Sequence, residues 1–283
     1  MLLSELNPGQ RFLLFLGKNW VVFFLLFLCV LFSFTGTGFL SPKTLNNILI
    51  TSSPALLLAA GETFVIITGG IDLSVGFVRG LISVISAIIM RDLYAAGYSP
   101  YVAILWGIVV GIGIGLLPGL VNGILVAKFR VPPFIATLGI YGVANGFALR
   151  LSQGFPITFL PPEVGEIGNG FVAYFLPGKG YSFFKRPAGM LPEDMRNLIG
   201  VVPFAFLIAL LFILIFAFIL SRTPFGQHTY AIGGNIDAAR RAGIPVDRHL
   251  IKVYMISSFF ASLSGVLATL IFSIGAPTQF ASS

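Results

Sequence analysis

Long apolar runs separated by short polar breaks dominate this chain, and their lengths predict membrane-spanning helices. Runs over residues 20–40, 48–68, 75–90, 101–127, 133–151, 198–220 and 253–274 approach or exceed the roughly 20 residues a helix needs to cross a bilayer. Only helices or closed barrels satisfy their backbone groups in hydrocarbon, and runs this long are helical. The expected fold is all-α: one transmembrane domain over residues 1–283, a polytopic helical bundle of about seven spans. Arg11 and Lys18 precede the first run as they would in a signal peptide. No small-residue cleavage pattern follows Phe34, so the run reads as an uncleaved span. Two longer polar segments interrupt the pattern, a Pro- and Gly-rich one over 152–197 and a basic one over 221–252.

Composition agrees. Of 283 residues, 57% are hydrophobic and 10% charged, with a mean hydropathy of +0.97. A soluble domain carries roughly a quarter charged residues. The deficit excludes a soluble enzyme and a disordered chain. The net charge of +7 would suggest nucleic acid in a soluble protein, but here its placement sets topology, and no nucleic-acid partner is expected. With the N-terminus inside, inner segments carry Arg11, Lys18, Lys128, Arg130, Arg222, Arg240, Arg241, Arg248 and Lys252 against Glu5, Asp237 and Asp247. Outer segments carry Lys43, Arg91, Arg150, Lys179, Lys185, Arg186 and Arg196 against Asp92, Glu163, Glu166, Glu193 and Asp194. Positive charge is in greater excess inside, which predicts a cytoplasmic N-terminus and a cytoplasmic 221–252 loop. Cys29 is the sole cysteine, so an intrachain disulfide is impossible. His228 and His249 lack Cys or His partners nearby in sequence; no metal or cofactor is expected.

Three places could carry chemistry. Gly107, Gly111, Gly115, Gly119 and Gly123 recur every four residues, one helix face without side chains, suited to close helix packing in lipid. The GxGxxG-like spacing there fails, because Leu116 stands where a glycine is needed. Pro118 predicts a kink in the same helix.

The segment Gly69-Gly70-Ile71-Asp72-Leu73-Ser74-Val75-Gly76 ends one run and starts another. Asp72 and Ser74 are capping residue types. The segment is either a helix broken at membrane depth beside a polar pathway or a tight turn at the membrane surface. Glu62, inside the run before it, is a proton or substrate contact, or a buried, hydrogen-bonded carboxyl. Asn122 is either a contact between helices or a lining group. Arg79 is a candidate partner for either acid.

In the basic loop, Gly233-Gly234 predicts a break, Asn235 a cap, and Gly243 with Pro245 a stop. A short surface helix over 236–242 follows, carrying Ala238, Ala239, Arg240 and Arg241. It either docks a partner or only holds the loop inside.

These motifs together resemble one family. Gly69 to Gly76, Pro133-Phe134-Ile135-Ala136-Thr137-Leu138-Gly139, and Phe225-Gly226 with Tyr230-Ala231-Ile232-Gly233-Gly234-Asn235, Ala238-Ala239 and Gly243-Ile244 are similar to segments of ABC importer permeases for monosaccharides, of the ribose/xylose/galactose type. They occur in the family's order, and within it the chain looks most like the galactofuranose-type permeases. The resemblance implies a bacterial inner-membrane subunit working with an ABC ATPase, a second permease subunit (the same chain or a different one) and a periplasmic sugar-binding protein, in contact with membrane lipid. Gly233, Gly234, Asn235, Ala238, Ala239, Arg240, Arg241, Gly243 and Ile244 would form the ATPase-coupling helix, and 152–197 a periplasmic loop. Glu62, Gly69, Gly70, Asp72, Ser74, Gly76 and Asn122 would belong to the pathway or its helix break. The absence of a Walker A pattern agrees with ATP hydrolysis on a partner. Family members continue for about three further spans, so the chain reads as C-terminally truncated relative to them.

Two other classes remain open on the residues alone. One is a proton-coupled secondary transporter using Glu62 or Asp72. The other is a non-transporting truncated permease.

Overall fold

The computed structural model describes residues 7–177, 180–185 and 198–277. The chain forms two compact units, Met1–Asn47 and Ile48–Ser283. Lys179, Arg186, Glu193, Asp194 and Arg196 of the outer loop, Glu5 and the last six residues lie outside the described residues.

The first unit holds α1 (Pro8–Lys18) and α2 (Trp20–Thr35), joined at Asn19, with Phe15 and Phe23 in edge contact across the joint at 5.9 Å. Helix α2 is apolar all round but only 16 residues long, shorter than the 20–40 run predicted. It stops because Gly36 leaves the helical conformation and Gly38 adopts a positive φ of 79°. Helix α3 (Pro42–Ile67) starts in this unit and ends in the next.

The second unit is a bundle of α4 (Val75–Ala95), α5 (Pro100–Ala127), α6 (Pro133–Ser152), α8 (Phe204–Arg222) and α11 (Val246–Phe272), with the end of α3. Between α6 and α8 come α7 (Glu163–Gly168), β1 (Phe171–Leu176), β2 (Gly180–Phe183) and β3 (Ile199–Pro203). Between α8 and α11 lie α9 (Pro224–Gly234) and α10 (Ile236–Arg241). Among the described residues, five helices, α3, α5, α6, α8 and α11, are long and apolar enough to cross a membrane. Helix α4 carries Arg79, Arg91 and Asp92, and α2 is short.

Helix α11 is the centre. Within its most apolar window 78% of residues are buried, against 11% for α8 and 22% for α6. It packs on α5 and α4, and α4 packs on α6. The glycine face of α5 makes these approaches short. A methyl added at Gly107 or Gly111 would collide with Met90 or Ser86 of α4, and one at Gly115, Gly119 or Gly123 with Ser262, Ser258 or Ile251 of α11. Gly61 does the same for α3, whose backbone meets Ser257 and Phe260. Buried hydroxyls tie the helices: Ser264 donates to the Pro54 carbonyl at 2.8 Å, and Ser258 to the Gly115 carbonyl at 2.8 Å in the turn before Pro118.

Two expectations need correction. The fold is not purely helical, because 171–203 holds an antiparallel three-stranded sheet in the order β2-β1-β3. The 198–220 run is accordingly split: Ile199–Pro203 pairs with β1, and the helix begins only at Phe204, after Pro203. The run is apolar on both sides of that boundary, so hydrophobicity alone hides it. The basic 221–252 segment holds more helix than the one expected over 236–242. It holds α9, α10 and the first turns of α11.

Candidate functional site

Helix α3 ends in the pair of hydrogen bonds that closes a helix at a left-handed glycine. Gly69, at φ 78°, donates to the Ile66 carbonyl at 2.9 Å, and Gly70 to the Val65 carbonyl at 3.0 Å. Residues 68–74 are then non-helical, and α4 starts at Val75. Ile71 and Leu73 are exposed while Asp72 and Ser74 are buried, at 5% and 2% exposure.

Buried polar groups need partners, and this break finds them on several helices. Asp72 Oδ1 accepts the Ser74 N–H at 2.9 Å and the Ser74 hydroxyl, and Oδ2 accepts the Ser257 hydroxyl of α11 at 3.0 Å. Asn122 of α5 donates from Nδ2 to Ser74 Oγ at 3.0 Å. Thr137 of α6 takes the Leu73 N–H at 3.2 Å and donates to a carbonyl of the segment or of its own helix. The Ser74 side chain caps no amide of α4; Asp72 instead holds the turn into the helix. Gly76 lies in the first turn of α4, partly buried.

Three buried polar atoms at this site have no hydrogen-bond partner among the described residues: Glu62 Oε1, Asn122 Oδ1 and the Tyr254 hydroxyl. Glu62 is half-buried beside Ser257 and Asp72, and Tyr254 lies within electrostatic reach of both carboxylates. The Tyr254 hydroxyl also closes on Gly70, where a side chain would meet it. Arg79 is buried in α4, where its backbone carbonyl faces Gly265 of α11.

The second cluster is at the ends of α5, α9 and α10. Asn235 caps α10 through a 2.9 Å bond from the Ala238 N–H, and Gly243, at φ 82°, closes it. Ala239 is buried with Ala127, Ile232, Val246 and Leu250, and Ile244 packs on them. These two face the chain itself. Gly233, Gly234, Asn235, Ala238, Arg240, Arg241 and Gly243 are exposed. Asp247 at the start of α11 pairs with Arg130 at 3.1 Å and Arg240 at 3.2 Å, linking α10 to the end of α5. His249 stacks on Phe225 at 4.3 Å and pairs through Nε2 with the Thr229 hydroxyl at 2.9 Å.

Gly233-Gly234 does not break the chain. Both residues complete α9, and the break comes at Asn235. The reason is contact: Gly233 lies on the Ile67 carbonyl at the end of α3, where a methyl would collide with that oxygen. The two clusters therefore meet where the broken segment begins. Ser257 and Tyr254 complete the site although sequence reasoning did not single them out, and so does Thr137, which it quoted only within the 133–139 motif and gave no role. The available signal was the set of hydroxyl residues in α11, with Ser257, Ser258, Ser262 and Ser264 in the otherwise apolar part of the helix over 255–268.

A buried polar break inside apolar helices, with surface helices seated against its end, defines the class: a multi-pass membrane permease. Residues 44–283 match the family described as the permease component of the branched-chain amino acid transport system. The ribose import permease protein of Bacillus subtilis is 33% identical over 245 residues, covering 87% of this chain and 66% of the relative. The galactose/methyl galactoside import permease protein of Salmonella typhimurium is 32% identical over 273 residues, covering 94% and 74%. The galactofuranose transporter permease protein of Escherichia coli is 31% identical over 221 residues, covering 78% and 54%. The chain belongs to this permease family, and its likeness is to the monosaccharide import permeases within it. It spans 66% of the ribose relative's length and 74% of the galactose relative's. No solved structure matches it.

Proposed function

We propose that this chain is the permease subunit of an ATP-binding-cassette importer carrying a monosaccharide across the bacterial inner membrane. A periplasmic binding protein delivers the sugar to the 152–197 side, and a second permease subunit completes the pathway. ATP is hydrolysed on a separate ATPase subunit, against which the exposed residues of α9 and α10 dock. The N-terminus is cytoplasmic, and α2, α3, α4, α5, α6, α8 and α11 are the seven spans.

One observation supports the reading most. The exposed loop that would meet an ATPase touches, through Gly233, the last carbonyl of α3, one residue before the break. A push on α9 and α10 therefore reaches the polar segment without passing through a flexible linker. The names of the relatives support a sugar, and the acceptor-rich surroundings of Asp72, Asn122 and Glu62 suit its hydroxyls. The glycine face of α5 serves helix packing.

The test is uptake of labelled ribose or galactose into proteoliposomes holding the chain with its ATPase, permease partner and binding protein. Uptake that requires ATP and persists when valinomycin and nigericin collapse the ion gradients is expected. Uptake that stops with the gradients and ignores ATP would identify a proton-coupled carrier instead.

A further inference from the structure

An open groove of about 420 Å³ runs along the side of the second unit. Its walls are Phe216 and Ile219 of α8, Met255, Ile256 and Phe259 of α11, and Leu116 of α5, all partly buried. The charged residue in its lining is Lys252, which is exposed.

Helical spacing explains the arrangement. On α11, residues 248, 252, 256 and 259 follow one another at steps of three or four and share a face. Arg248 and Lys252 thus continue, toward the basic loop, the stripe whose apolar part lines the groove. On α8, Arg222 stands three residues beyond Ile219, at the helix's last position. Both Arg222 and Arg248 are exposed. Asp247, the acid next to Arg248, is engaged by Arg130 and Arg240. The apolar slot therefore has one cation in its lining, Lys252, and Arg222 and Arg248 stand further along the two helices that form its walls.

We infer that this groove binds an anionic phospholipid, one acyl chain lying along α8 and α11 and the phosphate meeting Lys252, with Arg222 and Arg248 around it. Basic pockets between membrane helices on the cytoplasmic side attract anionic headgroups. Charge decides the occupant. An apolar helix laid into the slot would press Lys252 against hydrocarbon, which is costly. A lipid brings its own anion to that point and leaves the apolar walls to its chain. The inference rests on the reading of 221–252 as cytoplasmic and not on ATP-driven transport, so the two fail separately.

The test uses the purified full chain in detergent, with phosphatidylglycerol and phosphatidylcholine added, read by native mass spectrometry and by thermal shift. The wild type should prefer phosphatidylglycerol by about fivefold or more, roughly one basic side chain's attraction to an anionic headgroup. Lys252→Gln should remove most of that preference without changing the lipid-free melting temperature, and Lys252→Arg should keep it. Leu116→Trp, which fills the slot, should weaken binding of both lipids. Should Lys252→Gln fail to fold, the Arg222→Gln and Arg248→Gln pair reads the same preference. Equal binding of the two lipids, or an unchanged preference in the Lys252→Gln protein, would overturn the inference. So would an equal shift from glycerol phosphate alone, which needs no acyl groove, or a lipid-insensitive dimer that covers the groove with a second copy.

Discussion

Gly233, in the last turn of α9, lies directly on the backbone carbonyl of Ile67, the last residue of α3. Any side chain there would have to displace one of the two helices. The contact joins the exposed α9–α10 surface to the start of the Thr68-to-Ser74 break, and it makes glycine the residue that permits the joint.

The break itself depends on Asp72, which holds two hydroxyls and one backbone amide. Asp72→Ala leaves these donors buried without an acceptor and should destabilise the chain by about 2–4 kcal/mol. Ser257→Ala removes a single bond to the carboxylate and should cost about 1–3 kcal/mol. Thermal unfolding in detergent measures both. An Asp72→Ala protein as stable as the wild type would mean the carboxylate does not organise the segment.

Gly115 and Gly113 sit two residues apart on α5 in opposite environments. Gly115 meets Ser262 of α11, whereas Gly113 has open space around it. Gly115→Ala should destabilise by about 1–3 kcal/mol through overpacking. Gly113→Ala should be neutral or slightly stabilising, since alanine is the better helix former. Equal melting temperatures for the two variants would contradict the packing described.

Asp247→Asn breaks the pairs with Arg130 and Arg240. These groups are partly exposed, and the loss should be no more than about 1 kcal/mol and should fade at high salt. Asn235→Ala, which removes the α10 cap, should cost about 0.5–2 kcal/mol and lower ATPase retention with it. Arg241→Glu, on an exposed residue, should leave melting unchanged while abolishing retention. Thermal unfolding at low and high salt checks the first, and thermal unfolding with co-purification of the ATPase subunit checks the other two.

Glu62→Gln keeps the shape of the side chain and removes its charge. ATP-driven uptake should survive it with kcat kept and the sugar's KM raised, because the amide oxygen still accepts a hydroxyl. Loss of kcat at saturating sugar, in a protein that still melts normally, would assign the carboxylate a proton-carrying role.

Much of this was legible in the sequence where chemistry is local. Gly69-Gly70 followed by Asp72 and Ser74 announces a helix end and a held turn, and Asn235 with Gly243 and Pro245 brackets α10. The rest depends on residues far apart. Ser257 meets Asp72 across 185 positions and Thr137 meets Leu73 across 64, distances at which no periodicity speaks. The third strand was hidden because Ile199–Pro203 continues without a charged residue into the apolar helix it precedes. Gly233-Gly234 read as a break because glycine weakens a helix by itself. Contact with α3 overrides that preference.

The most direct measurement is the ATPase rate of the assembled importer in nanodiscs, with and without sugar-loaded binding protein, for the wild type and Gly233→Val. If the Gly233–Ile67 contact carries motion between the ATPase surface and the break, the Gly233→Val complex should retain its ATPase subunit yet lose stimulation by the loaded binding protein. Full stimulation in an intact Gly233→Val complex would contradict that coupling.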